Sequence, residues 1–308
     1  MVTSPNPAVS TNEAFNPNSP PVIGADSSLQ TVNEGQTATN TGTYSDLNTS
    51  DDVTITASVG TVTKTGTNTG TWSWSFGTTD GPAQSQIVTI TADDGNGGNA
   101  NTTFALSVNN VSPTVSLSLS ANPINENGSV TLTGTITDPG SLDSHTVAIN
   151  WGDGSAPTNL SLPADTLTFT PSHQYLDDNP SGTPSDSYTI AVTVTDKDSA
   201  TGSANTSITV RNLAPVIKGI NGPSGFVPLG TPATVSATFT DTGTQDTHTC
   251  SFAWGDGTSS GGTVTESSGS GSCSATRTYA AAGVYTVLVT VTDDDTGSAS
   301  RTVAVRVR

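Results

Sequence analysis

Positive charge, cysteine, aromatic residues and long apolar runs are all scarce in this chain. Only 8 Lys and Arg stand against 26 Asp and Glu in 308 residues, which gives a formal net charge of −18. Nucleic-acid binding needs Lys and Arg to neutralise phosphates, so we expect no nucleic-acid partner. No run of 18 apolar residues occurs, and we therefore expect no membrane insertion. The chain also lacks the heptads of a coiled coil.

Thr, Ser, Asn and Gly fill most of the remaining positions, and they favour strands and turns over helices. Hydrophobic residues make up 31% and charged residues 11% of the chain. This composition predicts a soluble, extracellular, all-β protein, secreted or on the cell surface. The first residues lack the features of a signal peptide, and the chain stops inside a predicted strand. We expect a piece of a longer exported protein, with a complete protein exported by another route as the alternative.

Three sequence markers recur in one order at nearly one spacing, which indicates internal repeats. An N-x-x-P junction begins at Asn18, Asn110 and Asn212. An Asp-x4-Asp pair and then an acidic turn follow each junction, at Asp46/Asp51 and Asp94, at Asp138/Asp143 and Asp196/Asp198, and at Asp241/Asp246 and Asp293/Asp295. We predict three homologous domains, 18–110, 111–212 and 213–308, after a Pro- and Asn-rich tail, 1–17.

Within each repeat the apolar residues alternate with polar ones, as in half-buried strands. The clearest run has Tyr285, Val287, Val289 and Val291 on one face. Gly, Asn, Asp and Pro turns separate such runs at the spacing of a two-sheet sandwich. Each repeat is therefore predicted to be a β-sandwich.

The motif Trp-Gly-Asp-Gly occurs twice and is the sharpest in the sequence. Counting back by twos places each Trp at the end of an inward-facing row, and the glycines supply the positive φ of a tight hairpin. The motif residues are Trp151, Gly152, Asp153, Gly154, Trp254, Gly255, Asp256 and Gly257.

With these motifs the sequence resembles the PKD domain family, immunoglobulin-like sandwiches of bacterial and archaeal exported proteins. The resemblance covers residues 111–308. Residues 18–110 diverge, with Val59-Gly60 in place of Trp-Gly. The resemblance implies an all-β fold of three tandem immunoglobulin-like domains in an elongated array.

Histidine gives no indication of a catalytic site. His145 and His248 occupy one repeat position at the start of a strand, which is typical of a hydrogen-bonded strand-end group. His173 aligns with Arg277, which argues against a general base or a ligand. There is no Cys/His cluster for zinc, and carboxylate pairs recur in every repeat. We predict that the protein is not an enzyme.

The repeated acidic residues suit a hard cation. In an immunoglobulin-like sandwich the three markers converge at one end, and oxygen ligands from separate segments fit Ca²⁺. The resemblance implies the same, because some PKD domains carry calcium. The alternative is that Asp and Asn are ordinary turn residues. The predicted ligands, with the third domain preferred, are Asn212, Asp241, Asp246, Asp293 and Asp295, then Asn110, Asp138, Asp143, Asp196 and Asp198, then Asp46, Asp51 and Asp94.

The connections between the repeats are short and contain proline, so we expect a semi-rigid stack on the order of 100 Å long. The second repeat has an insertion, residues 176–187, relative to the third. We expect this loop near the third repeat, where it either adds Asp177 or Asp178 to the junction or is simply solvated.

Cys250 and Cys273 both lie in the third repeat. Cys250 is an even number of residues from Trp254, and Cys273 is an even number from Tyr279, so the alternation of a strand directs both cysteine side chains inward. Two cysteines in one exported domain most often pair, which predicts a disulfide. Two buried free thiols are the alternative.

The predicted function is a non-catalytic extracellular structural or adhesion array, acting as a spacer or stalk, with Ca²⁺ stiffening its junctions. Its protein or glycan partner is not specified by the sequence. One alternative is a carbohydrate- or substrate-binding module of a secreted hydrolase, with Trp72 and Trp74 as candidates, although their shared parity with Phe76 favours a buried row. Another is a homo-oligomer or filament that uses residues 1–17 for strand addition.

Overall fold

A computed structural model describes residues 17–308. Every regular element in this range is a β-strand, and the range holds no helix that could span a membrane. The chain divides into two compact units, Met1–Ser112 with Asp138–Asp143, and Pro113–Thr137 with Ser144–Arg308. Within residues 17–308, the buried apolar residues form three separate cores. The predicted bounds of three domains, 18–110, 111–212 and 213–308, stay a prediction.

The first sandwich belongs to the first unit and has two four-stranded sheets, ordered β1-β3-β6-β5 and β2-β8-β7-β4. Its strands are β1 (Val22–Ala25), β2 (Leu29–Asn33), β3 (Thr37–Ser45), β4 (Thr54–Ala57), β5 (Thr61–Lys64), β6 (Thr69–Gly77), β7 (Gln86–Asp93) and β8 (Asn99–Asn109). Trp72 and Trp74 of β6 fill the core and are 1% and 0% exposed. The buried-row interpretation of these tryptophans therefore holds, and neither ring can meet a ligand at the surface.

The second sandwich lies in the second unit, apart from the loop 138–143. One sheet has the order β10-β17-β16-β12-β13; in the other, β11 pairs with β9, β14 and β15. The strands are β9 (Thr114–Leu119), β10 (Ile124–Asn125), β11 (Gly128–Thr137), β12 (His145–Asn150), β13 (Thr158–Leu162), β14 (Thr168–Phe169), β15 (Ser172–Tyr175), β16 (Ser185–Asp196) and β17 (Thr201–Arg211). Every second residue of β12 is buried, as the period of two requires.

The third sandwich has sheets ordered β18-β20-β24-β23 and β19-β26-β25-β21-β22. Its strands are β18 (Val216–Asn221), β19 (Phe226–Val227), β20 (Pro232–Thr240), β21 (His248–Ala253), β22 (Ser259–Gly261), β23 (Thr263–Ser267), β24 (Ser270–Thr278), β25 (Gly283–Asp293) and β26 (Ser298–Val307). Cys250 of β21 and Cys273 of β24 form a disulfide that joins the two sheets through the core. The prediction of an all-β chain of tandem immunoglobulin-like sandwiches is confirmed.

The Trp-Gly-Asp-Gly motifs make the turns that follow β12 and β21. Gly152 has a φ of 86°, and an added Cβ would lie 2.5 Å from the carbonyl oxygen of Thr189, so both conformation and space require glycine. The Trp151 carbonyl oxygen accepts a hydrogen bond from the Tyr175 hydroxyl at 2.9 Å. The start of the turn is thereby held against the core.

The aspartate of each Trp-Gly-Asp-Gly motif contacts a side chain that lies two residues before a tyrosine, Tyr175 in the second sandwich and Tyr279 in the third. Asp153 contacts His173 at 2.6 Å, and in the third sandwich Asp256 contacts Arg277 at 2.9 Å. Histidine and arginine thus occupy one structural position with the same carboxylate partner. His173 is therefore a structural residue of the sandwich.

We expect loss of the disulfide to lower the free energy of unfolding of the third sandwich by about 3 kcal/mol, because the closed loop of this length no longer restricts the unfolded chain. The test is denaturant unfolding of the Cys250→Ala/Cys273→Ala variant against the oxidised wild type. Dithiothreitol should lower the wild-type midpoint and leave the variant unchanged. An equal response of both proteins to the reductant would contradict the prediction.

Candidate metal centre

Carboxylates from the second and third sandwiches meet in the second unit. Glu126 follows β10, and Asp241 and Asp246 belong to the loop between β20 and β21. One carboxylate oxygen from each of the three lies within 4.8 Å of the others. Glu126 is held there by its Oε1, which accepts a hydrogen bond from the Leu213 N–H at 2.7 Å. We call Glu126, Asp241 and Asp246 the first triad.

Two carboxylates of the first triad, those of Glu126 and Asp246, are buried with fewer hydrogen-bond donors than a buried carboxylate needs. Glu126 is 1% and Asp246 7% exposed. Among the described residues, Oε2 of Glu126 and both carboxylate oxygens of Asp246 have no hydrogen-bond partner. Burial, with repulsion from neighbouring carboxylates, raises the pKa of Glu126 to about 8 and that of Asp246 to about 7. A bound cation would supply the missing positive charge.

Asp177 and Asp178, in the loop between β15 and β16, form a second triad with the same Glu126. Asp178 is fully buried, and within residues 17–308 neither of its carboxylate oxygens has a hydrogen-bond partner. Burial and the nearby Asp295 raise the pKa of Asp178 to about 7. Asp295 is itself buried, and its pKa is raised to about 6. The structure therefore brings the inserted loop to the predicted junction residues.

Among the other predicted ligands of the third domain, Asp293 lies close enough to the first triad for its charge to help raise the pKa of Asp246. The Asn212 Nδ2 donates to Asp293 at 3.1 Å, and the Asn212 Oδ1 is buried with no partner in the described part of the chain. Asp293 also accepts the Gly297 N–H at 2.6 Å, which closes the acidic turn. Asp241 contacts His248 at 3.0 Å. His248 is therefore a hydrogen-bonded strand-end group, as its repeat position indicates.

A glycine forms part of the wall of the first triad. A Cβ on Gly243 would lie 2.3 Å from both the Glu126 Oε2 and the Asp246 Oδ1. Such a contact is far shorter than any a real Cβ makes, so a methyl group would displace the carboxylates. The oxygens of Glu126 and Asp246 thus pack against bare backbone.

The first unit contains the same arrangement. Glu34 follows β2 and groups with Asp138 and Asp143. Its Oε1 accepts the Val111 N–H at 2.7 Å and its Oε2 the Gly81 N–H at 2.8 Å. Burial outweighs these donors and raises the pKa of Glu34. Asn110, another predicted ligand, directly precedes Val111.

Asp46, Asp51 and Asp94 also come together, in the first sandwich, as one group of buried carboxylates. Here amide side chains supply donors: Asn18 to Asp94 at 2.9 Å and Asn96 to Asp51 at 3.0 Å. One carboxylate oxygen of Asp46 and one of Asp51 lack a partner among residues 17–308. The carboxylates of this aspartate group are therefore better supplied with hydrogen-bond donors than Glu126 and Asp246 of the first triad.

Asp196 and Asp198 serve their own turn in the second sandwich. Oδ1 of Asp196 accepts the backbone N–H groups of Asp198 and Ala200, both at 2.9 Å. The Asp198 carboxylate pairs with the Lys197 ammonium at 2.8 Å. These contacts agree with the turn-residue alternative for this pair.

Glu34 and Glu126 are the site residues that the sequence analysis missed. Each follows an asparagine, and 92 residues separate them, the spacing that separates Asn18 from Asn110. The repeat alignment could therefore have found both. They escaped attention because they lie at the opposite end of the repeat from the acidic markers.

The third sandwich has leucine at this position. The backbone N–H of Glu126 donates to the Arg211 carbonyl at 2.9 Å, and that of Leu229 donates to the Arg308 carbonyl at 2.7 Å. Glu126 follows β10, which pairs in parallel with β17, and Leu229 follows β19, which pairs in parallel with β26. Leu229 is 50% exposed and carries no charge.

The described chain is a tandem array of immunoglobulin-like β-sandwiches. Residues 212–307 match the family model described as PKD domain, which covers the third sandwich. No curated protein sequence matches this chain significantly.

The solved structures that are similar include other multidomain chains. The ICAM-5 D1–D4 ectodomain fragment is 13% identical with a TM-score of 0.39, over 94% of this chain and 77% of that one. Sidekick-1 immunoglobulin domains 1–5 are 13% identical with a TM-score of 0.36, over 95% and 60%. The Yersinia pseudotuberculosis adhesin InvE is 12% identical with a TM-score of 0.31, over 67% and 68%.

Without divalent cations, we expect the stability of the protein to fall as the pH rises from about 5 to about 8. Raised pKa values at Glu126, Asp178 and Asp246 mean that the folded state binds more protons than the unfolded state in this range. Thermal melts in EDTA should show a lower midpoint at pH 8 than at pH 5. The Glu126→Gln variant should show a smaller fall, and a wild-type midpoint that is flat or rises would contradict the prediction.

Proposed function

We propose that the protein is a non-catalytic, extracellular structural or adhesion array in which Ca²⁺, bound between successive sandwiches, stiffens the chain into a spacer or stalk. One observation carries this proposal. The first triad joins a buried glutamate of the second sandwich to buried aspartates of the third, with carboxylate oxygens that find no hydrogen-bond donor in residues 17–308.

The chemistry of the ligands favours calcium. The first triad and its neighbour Asn212 offer only carboxylate and amide oxygens, which are the ligands of hard cations. These oxygens come from three separate segments, and Ca²⁺ accepts six to eight oxygens in irregular geometry, whereas Mg²⁺ demands near-ideal octahedral geometry. Extracellular modules bind calcium with dissociation constants of about 10⁻⁴ to 10⁻³ M.

Binding at such a place would act mechanically. An ion held by Glu126 and Asp246 links the two sandwiches directly, in addition to the short covalent connection at 211–215. Because the ligands come together only in the folded array, the ion stabilises the folded state by mass action. The Cys250–Cys273 disulfide also supports an extracellular location, since disulfides persist in oxidising compartments.

The alternatives receive less support. A carbohydrate-binding module needs exposed aromatic rings, but Trp72 and Trp74 are buried. The filament hypothesis rests on the tail 1–17, of which residues 1–16 lie outside the described part of the chain. No observation on the described residues favours either alternative over the array.

We expect Ca²⁺ to raise the thermal unfolding midpoint of the EDTA-treated full chain by several degrees. In small-angle X-ray scattering, Ca²⁺ should narrow the range of radii of gyration that the chain samples. Both changes should be smaller in Glu126→Gln, because this variant weakens the link between the second and third sandwiches. Asp165→Asn is the matched control, since Asp165 is exposed and lies at a positive φ that asparagine tolerates. Melting and scattering curves that are identical in Ca²⁺ and in EDTA would contradict the proposal.

A further inference from the structure

We propose that the junction between the second and third sandwiches holds two divalent cations, with the Glu126 carboxylate shared between them, and that the inserted loop 176–187 supplies the second site. This inference rests on the proposed function for the identity of the ion, Ca²⁺. It adds a site that the first triad does not contain.

The two triads have only Glu126 in common. In the first triad Glu126 meets Asp241 and Asp246 of the third sandwich; in the second it meets Asp177 and Asp178 of the second sandwich. Oxygens that bind one Ca²⁺ at 2.3–2.6 Å lie within about 5 Å of each other. Two triads that share one carboxylate therefore correspond to two neighbouring ions bridged by that carboxylate.

Asp178 gives an independent indication of a ligand. Asp178 is 0% exposed, and both its carboxylate oxygens lack a hydrogen-bond partner among the residues described. An ion in the first triad would satisfy Glu126 and Asp246 but would leave Asp178 unpaired. Because an unpaired buried carboxylate is strongly unfavourable, the charge of Asp178 has to be neutralised, by a proton when no cation is present or by a second cation.

The number of unpartnered oxygens also exceeds what the first triad can use. Seven buried side-chain oxygens at this junction lack a partner in the described chain: Glu126 Oε2, Asp177 Oδ1, both of Asp178, Asn212 Oδ1 and both of Asp246. The oxygens of the inserted loop belong to the second triad. Asp295, which raises the pKa of Asp178 through its charge, offers a further carboxylate on that side.

The surrounding charge favours two ions as well. Repulsion from Asp177, Asp241, Asp293 and Asp294 helps to raise the pKa of Asp246. One divalent ion would leave most of this negative charge uncompensated, whereas two reduce it by four units. His248 contacts Asp241 and Glu266, and no contact of its ring with Glu126 or Asp246 is seen among the described residues.

The inserted loop is held in place by contacts of its own. The Tyr188 hydroxyl donates to the Asp177 carbonyl at 3.0 Å, and the Asn179 amide donates to the Asp177 carboxylate at 2.6 Å. Ser181 donates to Asp186 through both its backbone N–H and its hydroxyl. The protein thus positions Asp177 and Asp178 for a ligand. The third sandwich has only Ala280–Gly283 here, without acidic residues.

The test counts bound Ca²⁺ per full-length chain, by equilibrium dialysis at saturating Ca²⁺ followed by elemental analysis. Asp178→Asn should bind one ion fewer than the wild type, because it empties the second site. Gly243→Ala should also bind one fewer, because its methyl group displaces the first triad without removing a charge. The control Asp165→Asn should bind the wild-type number.

Glu126→Gln provides a second measurement, since Glu126 belongs to both sites. Its calcium titration should show two binding events weakened together, each at least tenfold, whereas Asp178→Asn loses one event and retains the other. In EDTA, Asp178→Asn should melt at or above the wild-type temperature, because it removes an unpaired buried charge. This melt also shows that the variant is folded.

The outcomes separate the two proposals. The double variant Asp178→Asn/Gly243→Ala should bind two ions fewer than the wild type. An unchanged ion count in folded Asp178→Asn, or a double variant that loses only one ion, would overturn the two-ion inference and leave the calcium array standing. A wild-type chain that binds no Ca²⁺ at millimolar concentration would overturn both.

Discussion

Buried carboxylates that lack donors are the constraint on which this structure depends. A carboxylate usually stays at the surface or accepts several hydrogen bonds, because removing its charge from water is costly. Glu126, Asp178 and Asp246 do neither within the described chain. The rest of each sandwich is an ordinary apolar core between two sheets. What distinguishes the chain is therefore at the ends of its sandwiches, where negative charge accumulates in places that water barely reaches.

The fold itself follows from local features that the sequence displays directly. The period of two along β12 and β25 fixes which side chains enter the core, and Gly152 and Gly255 allow the turns that follow the tryptophans. Even the disulfide follows from parity, because Cys250 and Cys273 both point inward. These features depend on neighbours in sequence or on one strand, so a single sequence suffices to predict them.

The carboxylate cluster was only half predictable. The aspartates recur as markers, and the inserted loop offered Asp178 as one alternative, but Glu126 lies far from the markers in sequence and meets them only through the packing of successive sandwiches. Asp196 shows the opposite case: it fits the marker pattern, yet its oxygen serves the backbone of its own turn. Residue type and spacing indicate which oxygens exist. Only the three-dimensional packing shows which of them have spare lone pairs directed at one another.

Leu229 makes the third sandwich differ from the first two at the residue that follows the short parallel strand. Glu34 and Glu126 each extend a charged group beyond the short parallel strand, whereas the third sandwich extends a half-exposed apolar side chain from the same backbone position, with the exposed ring of Phe226 in the strand just before it. The Phe226 ring lies under the guanidinium of Arg308. A surface that met this end would bury hydrocarbon and an arginine instead of sharing a metal. A contact at this end would therefore not depend on the divalent cations that we propose for the junction between the second and third sandwiches.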